Sequence, residues 1–111
     1  MNVTTSISRH GITLPMERIT EFCRRWKIRE LAIFGSFLRD DFGENSDIDL
    51  LIDPKPGVSW TVADIEAMEQ EMAGLLGRKV ELIERTAVER SRNYIRKRHI
   101  LATAELVYVE R

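Results

Sequence analysis

The chain is expected to fold as an α/β (α+β) domain, a small mixed β-sheet of three to four strands covered by helices. Two observations predict this. Apolar residues recur at helical steps in some stretches, while short runs between them are continuously apolar or alternate with period two. The resulting order, roughly α-β-α-β-α-β-α-β, is that of helices laid over a sheet. At 111 residues the length suits one domain with a single hydrophobic core.

The elements follow in order. Residues 1–12 are mixed and polar with no sustained period, and read as a partly ordered leader; residues 13–111 form the single domain. From Pro15 to about Lys27, the residues Met16, Ile19, Phe22, Cys23 and Trp26 make one helical face, and Pro15 suits the first turn. The apolar run Leu31-Ala32-Ile33-Phe34, ended by Gly35, predicts a buried strand. Ser36 to Asp41 is expected to form a short helix, followed by turn chemistry at Gly43-Glu44-Asn45-Ser46. A second strand spans Asp47 to Asp53, with Ile48, Leu50 and Ile52 facing the core, and Pro54-Lys55-Pro56-Gly57 stops it.

A helix from about Thr61 to Leu76 is predicted by the stripe Val62, Ile65, Met68, Met72, Leu75 and Leu76. Thr61 and Asp64 are spaced as a capping box, and Gly77 suits the C-cap. Lys79 to Ile83 reads as a third strand, with Val80 and Leu82 on one face and Glu81 and Ile83 on the other. A helix over about Ala87 to Ala102 and a strand over Leu106 to Val109 complete the chain.

The bulk chemistry narrows the class. With 43% hydrophobic and 32% charged residues, the composition is that of a globular protein and not a disordered one. A net charge of −1 argues against a strong whole-molecule attraction to nucleic acid. The lone Cys23 can neither close an internal disulfide nor anchor a Cys-rich zinc site. No apolar run approaches a membrane span and the N-terminus lacks a signal-peptide core, so the cytoplasm is the default location.

Chemically capable residues gather in one place. Gly35-Ser36 is followed, after ten intervening residues, by Asp47-Ile48-Asp49, with Arg39 in the gap. On a strand the two Asp side chains share a face, because side chains alternate with period two. Glu81 lies on the matching alternation of the third strand. Should the two strands be neighbours, three carboxylates would meet on one open face. Hard divalent cations such as Mg²⁺ prefer such oxygen ligands and fill their remaining positions with substrate phosphates. The arrangement points to nucleotidyl transfer. The plainer alternative for the carboxylates is a solvated strand end that blunts an edge.

Over Leu31 to about Val109 the chain resembles the minimal nucleotidyltransferase (MNT) family of the DNA polymerase β-like superfamily. The residues that carry the likeness are Gly35-Ser36-x-x-Arg39, Ser46-Asp47-Ile48-Asp49-Leu50 and Val80-Glu81-Leu82-Ile83. The resemblance implies a nucleotidyltransferase fold and an antitoxin paired with a HEPN-domain toxin, with AMP passing from ATP to a toxin tyrosine. It implies that Gly35 and Ser36 hold the triphosphate, and that Asp47, Asp49 and Glu81 serve as catalytic residues and ligands of two Mg²⁺ ions. Arg39 would pair with phosphate or lock the loop by bonding to an acid. The third carboxylate of the family is commonly Asp; Glu81 reaches about 1.5 Å further.

Other readings stay open. The same fold could neutralise a toxin by contact alone, as a weak or inactive nucleotidyltransferase. Arg92, Arg96 and His99 fall on one face of the last predicted helix, with Lys97 and Arg98 close by. Such a run reads as a solvated surface, or as a patch for an acidic partner or nucleic acid. Asp53 is expected to cap the Pro54 turn, and Ser46 to fix Asp47.

Overall fold

The run Leu31–Phe34 requires apolar cover on both faces, and it forms the middle of the sheet. In this computed structural model, which describes residues 2–4 and 8–110, the chain opens with three short strands, β1 (Asn2–Thr4), β2 (Ser8–Arg9) and β3 (Ile12–Thr13). Helix α1 (Met16–Arg25) leads to β4 (Ile28–Phe34), a 3-10 turn (Gly35–Leu38) and β5 (Ile48–Pro54). Then come α2 (Val62–Leu76), β6 (Val80–Glu84), α3 (Arg85–Glu89), α4 (Tyr94–Thr103) and β7 (Glu105–Glu110). The main sheet has the order β1-β7-β4-β5-β6. Among the described residues only β5 and β6 run parallel, so the sheet is mixed, and α2 supplies the crossover that a parallel pair needs. The predicted α/β class with its helix-covered mixed sheet is the fold observed.

Each face of the sheet buries its own cluster. On one side Ile28, Leu31, Ile33, Ile48, Leu50, Ile52, Val80 and Leu82 pack with Ile19 and Phe22 of α1 and Met68 and Met72 of α2. This is the even-numbered face of β5 that the sequence assigned to the core. The opposite face is not open along its whole length. There Ala32, Phe34 and Leu51 pack with Val88 of α3 and Ile100 of α4 in a smaller cluster. Asp47 and Asp49 lie at the uncovered end of that second face. Among the described residues, no helix is long and apolar enough to cross a membrane.

Helix α2 follows its local signals closely. Asp64 N donates to Thr61 Oγ1 at 3.1 Å and Thr61 N to Asp64 Oδ2 at 2.9 Å, closing the capping box. Gly77 ends the helix in the left-handed conformation, at φ 67°. The side chain of Glu69 on α2 also secures the sheet edge, accepting from Leu82 N of β6 through Oε2 at 2.8 Å.

Two expectations are corrected. The last helix, predicted as continuous from 87 to 102, is two helices, α3 and α4. Asn93 Oδ1 accepts from Arg96 N at 3.1 Å and Asn93 N donates to Ser91 Oγ at 3.2 Å, so polar side chains break one helix and cap the next. The helix expected over 36–41 is the four-residue 3-10 turn Gly35–Leu38, which Arg39 ends in extended backbone. The segment read as a partly ordered leader contains ordered strands. Asn2–Thr4 pairs with β7, and the β2–β3 hairpin reaches the turn through His10, whose Nε2 donates to Phe37 O at 2.8 Å while its ring stacks on Phe42. Arg9 pairs with Glu105 at 2.6 Å. None of these contacts is visible in local periodicity.

Candidate active site

Alternation along β5 and register across the sheet bring the acids together. Asp49 stands opposite Phe34 on β4 and opposite Glu81 on β6. Paired strands lie about 4.8 Å apart, so Glu81 is a direct neighbour of Asp49. Asp47 lies immediately before β5, two residues from Asp49 and on the same side. Asp47 and Asp49 are half-buried and Glu81 is exposed. Burial pushes the Asp49 carboxyl above its ordinary range; the charges of Glu81 and then Asp47 push the same way, while Arg96 and Arg39 oppose them. Lys79 Nζ is 4.0 Å from Asp47 Oδ2.

The Gly-Ser turn is locked onto this strand. Gly35 has φ +74°, a conformation that disfavours side chains, and a Cβ there would overlap the carboxylate of Asp49. Ser36 Oγ donates to the backbone oxygen of Asp47 at 3.1 Å. The two residues expected to hold the triphosphate therefore adjoin the expected carboxylates: Gly35 by close approach to Asp49, Ser36 through the Asp47 backbone. Arg39 bonds an acid, with Nε 3.1 Å from Asp41 Oδ1 at the surface.

Two expectations nearby are corrected. Ser46 Oγ accepts from Gly43 N at 3.0 Å, closing the preceding turn instead of holding Asp47. Asp53 accepts from Arg29 Nη2 at 2.7 Å, a strand-to-strand ion pair and not a cap on the Pro54 turn.

Two arginines were missed as contributors. Arg78, just after α2, donates to the backbone oxygens of Gly43 at 2.8 Å and Ser46 at 2.9 Å, and lies 4.4 Å over the Phe42 ring. It pins the turn that delivers Asp47. Nothing in the local sequence points across that separation. Arg96, read as one of a solvated run, projects from α4 close enough for its charge to act on Asp49. The helical face Arg92, Arg96, His99 was the only signal for it.

The donor set fits a hard divalent cation in kind. Asp47 and Asp49 offer oxygen ligands from one strand face, and their mutual repulsion with Glu81 is what a cation would relieve. Among the described residues, no group of three or more His, Cys, Asp or Glu side chains is gathered in a metal-holding arrangement. The arrangement is thus a carboxylate pair with a third acid alongside.

Comparison with known proteins agrees with this architecture. A family model described as "Nucleotidyltransferase domain" matches residues 16–103. A relative from Methanocaldococcus jannaschii, provisionally named a protein adenylyltransferase, is 36% identical over 73 residues, covering 66% of this chain and 70% of the relative. A crystal structure of a toxin–antitoxin with AMP-PNP superposes with a TM-score of 0.67 at 17% identity, over 88% of this chain and 76% of that one. A tri-AMPylated Shewanella oneidensis HEPN toxin in complex with an MNT antitoxin gives a TM-score of 0.59 at 18% identity, over 86% and 70%. The structural likenesses establish a shared fold, and the family match covers most of the chain: it belongs to the nucleotidyltransferase domain family.

Proposed function

We propose that this protein is the antitoxin of a toxin–antitoxin pair and transfers AMP from Mg²⁺-ATP to a hydroxyl, a tyrosine, of a cognate HEPN toxin in the cytoplasm. The observation that carries the proposal is the contact between the two halves of the motif. The Asp49 carboxylate occupies the place a Cβ of residue 35 would take, so the turn backbone and the acid stand side by side for one phosphate-bearing ligand. The adenylyltransferase relative and the two toxin–antitoxin neighbours support the same reading.

The chain's own residues have distinct tasks. Gly35 and Ser36 receive the triphosphate, and Ser36 keeps the turn at a fixed distance from Asp47. Asp47 and Asp49 would hold Mg²⁺, two ions as the family resemblance implies, with Glu81 as the adjoining acid. Bound Mg²⁺ supplies charge neutralisation on the triphosphate and lowers the pKa of the attacking hydroxyl. Arg78 fixes the turn before Asp47. In the reaction the acceptor oxygen bonds to the α-phosphorus, the bond from that phosphorus to the bridging oxygen breaks, and pyrophosphate leaves. The hydroxyl proton passes to a site carboxylate, Glu81 being the exposed one.

The test is transfer itself. With Mg²⁺ and α-labelled ATP the toxin should become labelled, and Asp47→Asn should abolish it. A second reading is favoured by the third acid, which stands alongside the carboxylate pair without completing a three-acid metal-holding group among the described residues: the protein neutralises its partner by contact alone. An Asp47→Asn, Asp49→Asn double variant that still protects cells from the toxin would support that reading.

A further inference from the structure

The β2–β3 hairpin lies outside residues 16–103, the part of the chain that matches the nucleotidyltransferase domain family, yet its tip reaches the Gly-Ser turn. Strand register leaves His10 and Gly11 as a two-residue loop, at φ +57° and +76°. Two successive positive φ angles are the pattern of a type I′ hairpin turn, whose first position usually takes asparagine or glycine. Histidine there forgoes a local preference, and its side chain makes contacts that the usual residues do not. Its Nε2 donates to Phe37 O at 2.8 Å, its ring stacks on Phe42 at 4.8 Å between centroids, and it meets the Phe37 ring edge-on at 5.6 Å. We propose that His10 is a positioning residue for the nucleotide, fixing from the hairpin the backbone of the Gly35–Leu38 turn that receives the triphosphate. The inference rests on the nucleotidyl-transfer reading above and gives that site a determinant outside the matched family region.

Two hydrogen bonds on consecutive residues hold the turn from two sides. Ser36 Oγ donates to Asp47 O at 3.1 Å and ties the turn to the start of β5, while His10 ties Phe37 O to the hairpin. Arg39 N donates to Ser36 O at 2.9 Å, which makes the Phe37–Leu38 peptide the central one of the turn. The direction of that peptide distinguishes one turn type from another. Burial of the Phe37 side chain does not set it; a bond to its oxygen does, and planarity carries the constraint to the Leu38 N–H.

The ring contacts extend the hold toward Asp47. Phe37 and Phe42 meet edge-to-face at 5.2 Å, and Arg78 lies 4.4 Å over Phe42 while it bonds the oxygens of Gly43 and Ser46. The hairpin is itself moored, since Arg9 pairs with Glu105 of β7 at 2.6 Å and the Ser8 and Thr13 hydroxyls are 3.0 Å apart. A moored hairpin, a pinned peptide and a stacked loop form one support beneath the phosphate-receiving turn.

The test separates donor, ring and general stability. His10 is exposed, so replacing it leaves no core cavity. His10→Asn suits the positive φ, but its amide is too short to reach Phe37 O; His10→Gln restores the reach and the donor. In calorimetric titration without an acceptor, His10→Asn should bind Mg²⁺-ATP about tenfold more weakly, and His10→Gln within about threefold of the unsubstituted protein. Hydrogen exchange at residues 36–42 should rise in His10→Asn and not in His10→Gln. In AMP transfer His10→Asn should raise KM for ATP with kcat held within about twofold, the split expected when binding and not chemistry is lost. Met72→Ala, a core change in α2, should lower Tm and leave Mg²⁺-ATP affinity unchanged. Unaltered affinity in His10→Asn, no recovery in His10→Gln, or an equal loss in Met72→Ala overturns the inference alone. Failure of the unsubstituted protein to bind Mg²⁺-ATP rejects the nucleotidyl-transfer reading and the inference with it.

Discussion

Gly35 is packed against Asp49 so closely that a Cβ at position 35 would stand 3.2 Å from Asp49 Cγ and overlap the carboxylate oxygen. Turn and strand are therefore one unit. Gly35→Ala should leave the fold intact by circular dichroism while displacing the Asp49 carboxylate. Misplacement by about 1 Å costs roughly 100-fold in rate, and a loss of AMP transfer of that order is expected. An alanine variant with full activity would show that the close approach has no catalytic consequence.

Asp49 sets a pH signature. Its folded-state pKa is raised above the ordinary 3.8 by burial, then by Glu81 and Asp47. Below that ordinary value the carboxyl is protonated in both folded and unfolded chains, and the site carries no penalty. As pH rises through the raised value, ionisation is harder in the folded protein and stability is lost. Asp49→Asn should thus raise Tm at about pH 7.5, with the gain shrinking toward about pH 4. Added Mg²⁺ should raise the Tm of the unsubstituted protein and have much less effect on the variant. Thermal melts at several pH values, with and without Mg²⁺, check both.

Arg78 is a positioning residue. Its guanidinium gathers the oxygens of Gly43 and Ser46 and covers Phe42. Both bonds leave one terminal nitrogen, Nη1, while the guanidinium plane lies over the ring, a stacking contact that an ammonium does not reproduce. Arg78→Lys should lower kcat several-fold through a loosened Asp47, with hydrogen exchange increased at residues 43–47. Arg78→Ala should add a stability loss of about 1.5–3 kcal/mol, the range for hydrogen bonds to a charged group. Unaltered exchange in that turn would contradict the assignment.

Stability rests on the face away from the site. Met72 is fully buried between α2 and the sheet, and Met72→Ala should cost about 2–5 kcal/mol. Thr61→Ala, which opens the capping box, should cost about 1 kcal/mol. Urea denaturation gives both values.

Helix α2 was legible because its determinants are local: Thr61 and Asp64 at the start, Gly77 at the end, and an apolar stripe between them. The carboxylate arrangement was legible for a similar reason, since period-two alternation fixes the side on which Asp49 and Glu81 lie once their strands pair. What escaped the sequence depends on contacts made far along the chain. The pairing of Asn2–Thr4 with β7, the docking of His10 on Phe37, the ion pair Arg29–Asp53 and the reach of Arg78 to the 43–46 turn all join distant segments. The break between α3 and α4 was missed differently. Ser91 and Asn93 carried a local capping signal, and it was outweighed by an assumption of continuous helix.

The most direct measurement of the central claim follows the α-phosphate of ATP. The protein and a HEPN-domain toxin, the partner class proposed above, are incubated with Mg²⁺ and ATP labelled at the α- or γ-position. Label from the α-position should appear on the toxin, γ-label should leave as pyrophosphate, and Asp47→Asn or Asp49→Asn should stop the transfer. Absence of α-label on the toxin, or transfer undiminished in both variants, would contradict the account.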